Sequence, residues 1–138
     1  MRYTFSLLFT VLIVGLLACG TRDKSQDDGS FEEFYKRFHE DTAYQKSHVT
    51  FPLEGIPAFA DSTQMYNGTF RWQEDTWVFH RMTDSLQQNF DREFISLGDD
   101  LIIEHLTHKS GKIGMERRFA RLGDGWNLIY YAGMNYIK

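Results

Sequence analysis

IGMERRFARLGDGWNLIYY, residues 113–131, alternates as a strand does, turns at Gly123-Asp124-Gly125, and alternates again. Side chains along a strand point to opposite faces in turn, so one face of each run can pack on a core. Ile113, Met115 and Phe119 share one parity, interrupted by Arg117 and Arg121, while Gly114, Glu116, Arg118 and Ala120 take the other. After the turn, Trp126, Leu128 and Tyr130 oppose Asn127, Ile129 and Tyr131. A Gly-x-Gly loop between two such runs predicts a hairpin, because glycine supplies the positive φ of a tight turn.

Upstream, Leu101 to Thr107 reads as a strand that Ser110-Gly111 turns into this hairpin, giving a three-stranded antiparallel meander. Glu93 to Leu97 is a further strand, broken by Gly98-Asp99-Asp100. The polar residues 84–92 hold a helical turn, and Thr76 to Met82 is predicted as a strand with Trp77 and Phe79 on one face, Val78 and His80 on the other. Residues 54–68 read as an irregular connection. His48 to Leu53 is a short strand, with Pro52 at an edge or an end because it has no amide hydrogen. Before it, Ser30-x-x-Glu33 is a capping box, and Phe31, Phe34, Tyr35 and Phe38 fall on one helical stripe. The spacing predicts an amphipathic helix over 31–43, with His39 facing solvent and the aromatic stripe covered by the sheet.

The first residues read as an export signal. Arg2 precedes an apolar run from Phe5 to Leu17 and a small residue, Ala18, directly before Cys19. The run is shorter than the roughly 20 residues a membrane-spanning helix needs. Leu16-Leu17-Ala18-Cys19 resembles the lipobox of bacterial lipoproteins. That resemblance implies a signal peptide over 1–18, lipidation of Cys19 with palmitate-type chains, and anchoring in the cell envelope, with the outer membrane as the expected location. Cys19 is the only cysteine, so no intramolecular disulfide can form. Cleavage would remove only Arg2 among charged residues, moving the net charge from −4 to −5. A mildly acidic chain excludes nucleic acid as an expected partner. Residues 19–29 are polar and glycine-flanked, a flexible tether that leaves 30–138 as one domain. Asp27-Asp28 in that tether is either a surface-export cue or plain solvated linker.

With helix and strands placed, Phe31–Gly55, FEEFYKRFHEDTAYQKSHVTFPLEG, resembles the opening helix, Tyr-Gln pair and Phe-Pro-Leu strand of DUF4348, a family of Bacteroidetes lipoproteins. ERRFARLGDGWNLIYY is similar to that family's closing hairpin. The resemblance implies an α+β, NTF2-like (cystatin-like) cone, a curved antiparallel sheet packed on an N-terminal helix. It carries over no catalytic residues.

The chemistry-bearing residues are aromatic and basic. His105 and His108 lie three apart on a strand and face opposite ways, so they make a poor metal pair, and no Cys pair, His-Glu-x-x-His, P-loop or Gly-x-Ser-x-Gly is present. No metal, cofactor or catalytic residue is expected. Arg117 and Arg121 share a face; they either pair with Glu104 across strands or grip an anionic ligand. Tyr66, Trp72, Trp77, Trp126, Tyr130 and Tyr131 exceed what one small core requires. The expected ligand-binding set is Tyr66, Trp72, Trp77, His80, Arg117, Trp126 and Tyr130, holding a small molecule, a glycan fragment or a partner protein. Two alternatives stand beside this binding module. One is a small hydrolase or isomerase drawing an acid–base pair from Asp99, Asp100, His80 and Tyr66; the other is a self-associating envelope scaffold.

Overall fold

The computed structural model of the chain describes residues 30–123 and 125–137. The signal segment, Cys19, the tether and Asp124 of the hairpin turn lie outside the described residues.

Helix α1 (Phe31–Glu40) begins at Ser30, whose Oγ accepts the Glu33 N–H at 3.2 Å. Glu32 and Glu33 sit in its first turn, where the helix dipole favours negative charge. The helix stops three residues before the expected end. Asp41 is extended; its N–H closes α1 on the Arg37 carbonyl at 2.9 Å, and its carboxylate accepts the Tyr44 N–H at 2.9 Å to open α2 (Thr42–Ser47). Aspartate suits this position because its side chain satisfies an amide that a helix start leaves without a partner. Helical periodicity ran through the break because both helices bury residues against the same sheet.

The strands are β1 (Val49–Ile56), β2 (Arg71–Trp72), β3 (Phe90–Ser96), β4 (Leu101–His108), β5 (Ile113–Leu122) and β6 (Gly125–Tyr136). They form one sheet in the order β2-β1-β6-β5-β4-β3. The predicted meander is present, and β3 extends it. The expectation of a wholly antiparallel sheet needs correction: β1 joins β6 in parallel, so the sheet is mixed. Parallel neighbours need a long crossover, and here almost the whole domain lies between the two strands. Two further expectations change. The connection before β2 contains helix α3 (Ser62–Tyr66), opened by a capping box between Asp61 and Gln64. Residues 76–82 are not a strand; a 3-10 turn at Glu74–Thr76 leads into an extended segment, then helix α4 (Asp84–Asn89).

The β5–β6 ladder is bulged. Arg118 pairs with Tyr130 but Phe119 pairs with Leu128, so Ile129 is an extra residue on β6. A bulge bends a strand and moves everything beyond it to the other face. Tyr131, rather than Tyr130, therefore follows Leu128 onto the side that packs against the core.

That core is Phe34, Phe38, Tyr44, Val49, Leu53, Phe119, Trp126 and Leu128. Phe119 sits fully buried at its centre, with the rings of Phe31, Phe34 and Phe38 at 5.5, 5.8 and 5.6 Å. Each such side chain contributes about 1.5–3 kcal/mol by leaving water. At the β1–β6 junction only glycine fits. A Cβ on Gly55 would lie 2.0 Å from the Tyr131 carbonyl oxygen and 2.7 Å from Trp72 Nε1. Trp72 Nε1 donates to that same carbonyl at 2.8 Å. This close approach seats the Trp72 ring beside Tyr131.

Candidate ligand-binding cleft

Under the aromatic stripe of α1, the sheet buries charge. Glu104 on β4 faces Arg117 on β5 and is fully buried. Arg117 Nε donates to Glu104 Oε2 at 2.7 Å and Nη2 donates to Oε1 at 3.0 Å, a two-pronged pair. The Tyr35 hydroxyl donates to Oε1 at 2.6 Å. Arg92 on β3 brings Nε within 3.0 Å of Oε1, but off the hydrogen-bond line, so that contact is charge attraction alone. Arg117 Nη1 stands 2.8 Å from His39 Nε2, and His39 Nδ1 stands 2.8 Å from the Tyr35 carbonyl. A carbonyl only accepts, so Nδ1 carries the proton and Nε2 accepts from Arg117. His39, expected at the surface, is thus buried within the cluster. It lies one residue past the core stripe, where Arg117 supplies the donor that makes burial tolerable.

A second buried polar residue builds the wall above. Gln45 is 1% exposed. Its Oε1 accepts from the His80 N–H at 2.8 Å and from Trp77 Nε1 at 3.2 Å; its Nε2 donates to the carbonyls of Phe38 at 2.7 Å and His80 at 3.0 Å. The side-chain amide acts as a short piece of strand. Residues 77–80 are extended because they hydrogen-bond to Gln45 rather than to a neighbouring strand, which is why alternation alone predicted a strand there.

Held this way, the segment closes a cleft of about 390 Å³ against the sheet. Its floor is Met115, Arg117 and Tyr131; its wall is Phe79, His80, Arg81, Thr83 and Leu86. The His80 ring lies between Trp77 and Tyr131, 4.5 Å from each, and Trp72 lies 5.1 Å from Tyr131. The result is a continuous aromatic bank with a guanidinium at one end.

Four residues of the expected set, Trp72, Trp77, His80 and Arg117, converge around Tyr131. Three do not. Trp126 is in the core beneath α1, 5.2 Å from Phe31. Tyr130 is turned to the back of the sheet by the Ile129 bulge and lies under Arg118, 4.2 Å away. Tyr66 is 71% exposed on α3. The acid–base quartet is not assembled either: Asp99 and Asp100 are exposed in the β3–β4 turn, Asp100 beside Arg121, and only His80 lines the cleft. Gln45, Tyr35, His39 and Glu104 complete the surroundings. Tyr35 stands on the helical stripe and Glu104 is the expected cross-strand partner of Arg117, whereas Arg121 pairs with Asp100 instead. Gln45 carries a sequence signal only through the resemblance to the lipoprotein family, and His39 carries none.

The histidines titrate low. Burial pushes His80 down to about 3, helped by Arg117 and His39. His39 is pushed down to about 4, by burial and then Arg117, with Arg92 adding to this and the Tyr35 carbonyl and Glu104 opposing. Burial raises the Tyr131 phenol and Arg117 partly offsets this. Burial alone would lower Arg117, but Glu104 and Tyr35 outweigh it and the guanidinium stays charged. Both histidines are therefore neutral in the folded protein down to about pH 4. The unfolded chain binds more protons below its ordinary histidine value near 6.5. Stability should be complete above about pH 6.5 and fall as pH drops toward 4, each histidine adding a slope of up to about 1.4 kcal/mol per pH unit. Urea unfolding at pH 7, 6, 5 and 4 checks this. A His39→Asn, His80→Phe variant should flatten the slope; an unchanged slope contradicts the assignment.

No family model matches the chain, and no curated protein matches it. Solved structures do. An NTF2-like protein from Bacteroides fragilis is 18% identical with a TM-score of 0.55, over 79% of this chain and 47% of that one. A cystatin-like protein from Bacteroides caccae is 15% identical with a TM-score of 0.54, over 76% of each chain. A protein from Bacteroides ovatus is 18% identical with a TM-score of 0.50, over 72% and 70%. The chain spans about half the length of the B. fragilis structure it matches. The fold is NTF2-like, or cystatin-like, of the α+β class: a mixed, curved sheet with a few helices.

Proposed function

We propose that this domain is a non-enzymatic binding module that holds a small molecule in the cleft between residues 79–86 and the sheet. One observation carries the reading. His80 and Tyr131 line the cleft, and neither the imidazole nitrogens nor the phenol oxygen has a hydrogen-bond partner among the described residues. Polar tips on an aromatic wall, left to water, are what a ligand with a flat body and a few polar groups needs. Binding is favoured over catalysis by the electrostatics. A histidine titrating near 3 is a weak base at neutral pH, and Glu104 is occupied by two arginines and a tyrosine. The test is thermal shift with tryptophan fluorescence across sugars, sterols, peptides and flat ring compounds. At least one class should raise Tm and quench Trp77, and the effect should vanish in His80→Trp, which fills the cleft. A flat response throughout, or one unchanged in that variant, overturns the reading.

The reading includes an address. We propose that Cys19 is lipidated and tethers the module to the cell envelope, outer membrane first, in the manner of the DUF4348 lipoproteins that its opening helix and closing hairpin resemble. The apolar leader and the lone cysteine support this. Labelled palmitate should enter the wild-type chain and not Cys19→Ser; equal labelling contradicts it.

Self-association is a second reading, favoured by the back of the sheet. Phe59, Tyr66, Tyr136 and Ile137 are 61%, 71%, 68% and 49% exposed there or on its flanks, and Phe59 and Tyr136 touch at 6.0 Å. Large exposed apolar side chains in one region mark interaction surfaces. Light scattering separates the cases: a strict monomer removes this reading.

A further inference from the structure

We infer that the ligand class of the cleft is a flat-ringed carboxylate, with its acid group beside Arg117 and Tyr131 and its ring along His80. This rests on the cleft being the ligand site, and it adds the charge.

The first argument is electrostatic. Arg117 and Arg92 bring two positive charges to the single carboxylate of Glu104. The cluster beneath the cleft therefore keeps one net positive charge. Arg81 adds another at the wall, and none of the residues lining the cleft is acidic. Both histidines of the region are neutral and contribute no charge of their own. In a partly buried site such an excess is screened far less than on the surface.

The second argument counts donors. A guanidinium has five N–H groups. Arg117 directs two to Glu104, one to the Tyr35 hydroxyl at 3.4 Å and one to His39. The fifth, on Nη1, has no partner among the described residues. The Tyr131 hydroxyl and the His80 imidazole are the other polar groups on this bank without one. The Arg117 N–H and the Tyr131 hydroxyl are two donors at one end of the cleft, and with the positive field they match a group that only accepts, which is what a carboxylate is. A neutral amide of the same shape presents its own N–H groups and loses the charge term.

The third argument is shape. Arg117 pairs across the ladder with Tyr131, so both reach into the same end of the cleft. From there His80 and Trp77 continue as an aromatic bank, and Leu86 and Met115 supply apolar surface. A volume of about 390 Å³ is at the small end of ligand sites, enough for one or two fused rings.

The test uses the purified full-length chain at pH 7 and calorimetric titration with 2-naphthoate, 2-naphthamide and acetate. Naphthoate should bind at least about tenfold tighter than naphthamide, the usual worth of a charge-assisted hydrogen bond, and acetate should bind weakest. Tyr131→Phe removes only a hydroxyl that has no hydrogen-bond partner among the described residues, so the fold should persist. It should weaken naphthoate several-fold and naphthamide less, because the bond to a neutral carbonyl is not charge-assisted. Equal affinity for naphthoate and naphthamide overturns the carboxylate assignment and leaves the small-molecule reading standing. Naphthoate binding that ignores Tyr131→Phe places the acid elsewhere and also overturns it. Failure of all three probes counts against both.

Discussion

Glu104→Ala is expected to destabilise the domain by roughly 3–5 kcal/mol, the cost of leaving a buried charge without its partner. Arg117 is only 3% exposed and loses both of its carboxylate bonds. The Tyr35 hydroxyl loses its acceptor as well. Arg92, with its side chain 25% exposed, can turn to water and should suffer less. The double replacement Glu104→Met, Arg117→Met should recover part of the loss, because apolar side chains replace a buried ion pair at little net cost while His39 Nε2 and the Tyr35 hydroxyl stay without their partners. Urea unfolding of the two variants at pH 7 is the measurement. A single-variant loss below about 1 kcal/mol would mean that water reaches the cluster freely.

Gln45→Leu is the second large effect. Leucine keeps the approximate volume but strands the His80 N–H and carbonyl, the Phe38 carbonyl and Trp77 Nε1. A buried polar group without a partner costs about 1–3 kcal/mol. Segment 77–80 can lift away and let water satisfy some of these groups, so the expected loss is about 3 kcal/mol rather than their sum. Hydrogen exchange reads this locally. In the wild type the His80 amide should exchange about as slowly as sheet amides although it belongs to no strand; in the variant it should exchange about a hundredfold faster. An unchanged rate would show that the aromatic contacts hold the wall without Gln45.

The sequence made the scaffold readable where periodicity and core burial coincide. Phe31, Phe34, Tyr35 and Phe38 announced α1, and the alternation from Leu101 to Leu128 announced the meander. It misled where one residue changes what alternation means. Ile129 is an ordinary strand residue, and nothing in its neighbours marks it as the extra one, so alternation alone puts Tyr130 on the face that Tyr131 holds. Segment 76–82 has the pattern of a strand because an extended chain packed on a core has that pattern whatever satisfies its backbone. The parallel β1–β6 pairing is a long-range choice that no local pattern encodes. The cleft was half legible. Its aromatic and basic residues stood out by type, whereas Gln45 and His39 are polar residues whose burial depends on partners 35 and 78 positions away.

Hanging the cleft wall from one amide has a consequence for how such a protein diverges. In most binding sites a wall that belongs to the sheet cannot be redrawn without disturbing strand register. Here the stretch between the 3-10 turn and α4 borrows its fixing point from a helix residue, so substitutions at Phe79, Arg81 or Thr83 leave every ladder untouched. Descendants that keep the glutamine are free to trade one small molecule for another, and the glutamine, more than any lining residue, is where inheritance of the site should be read.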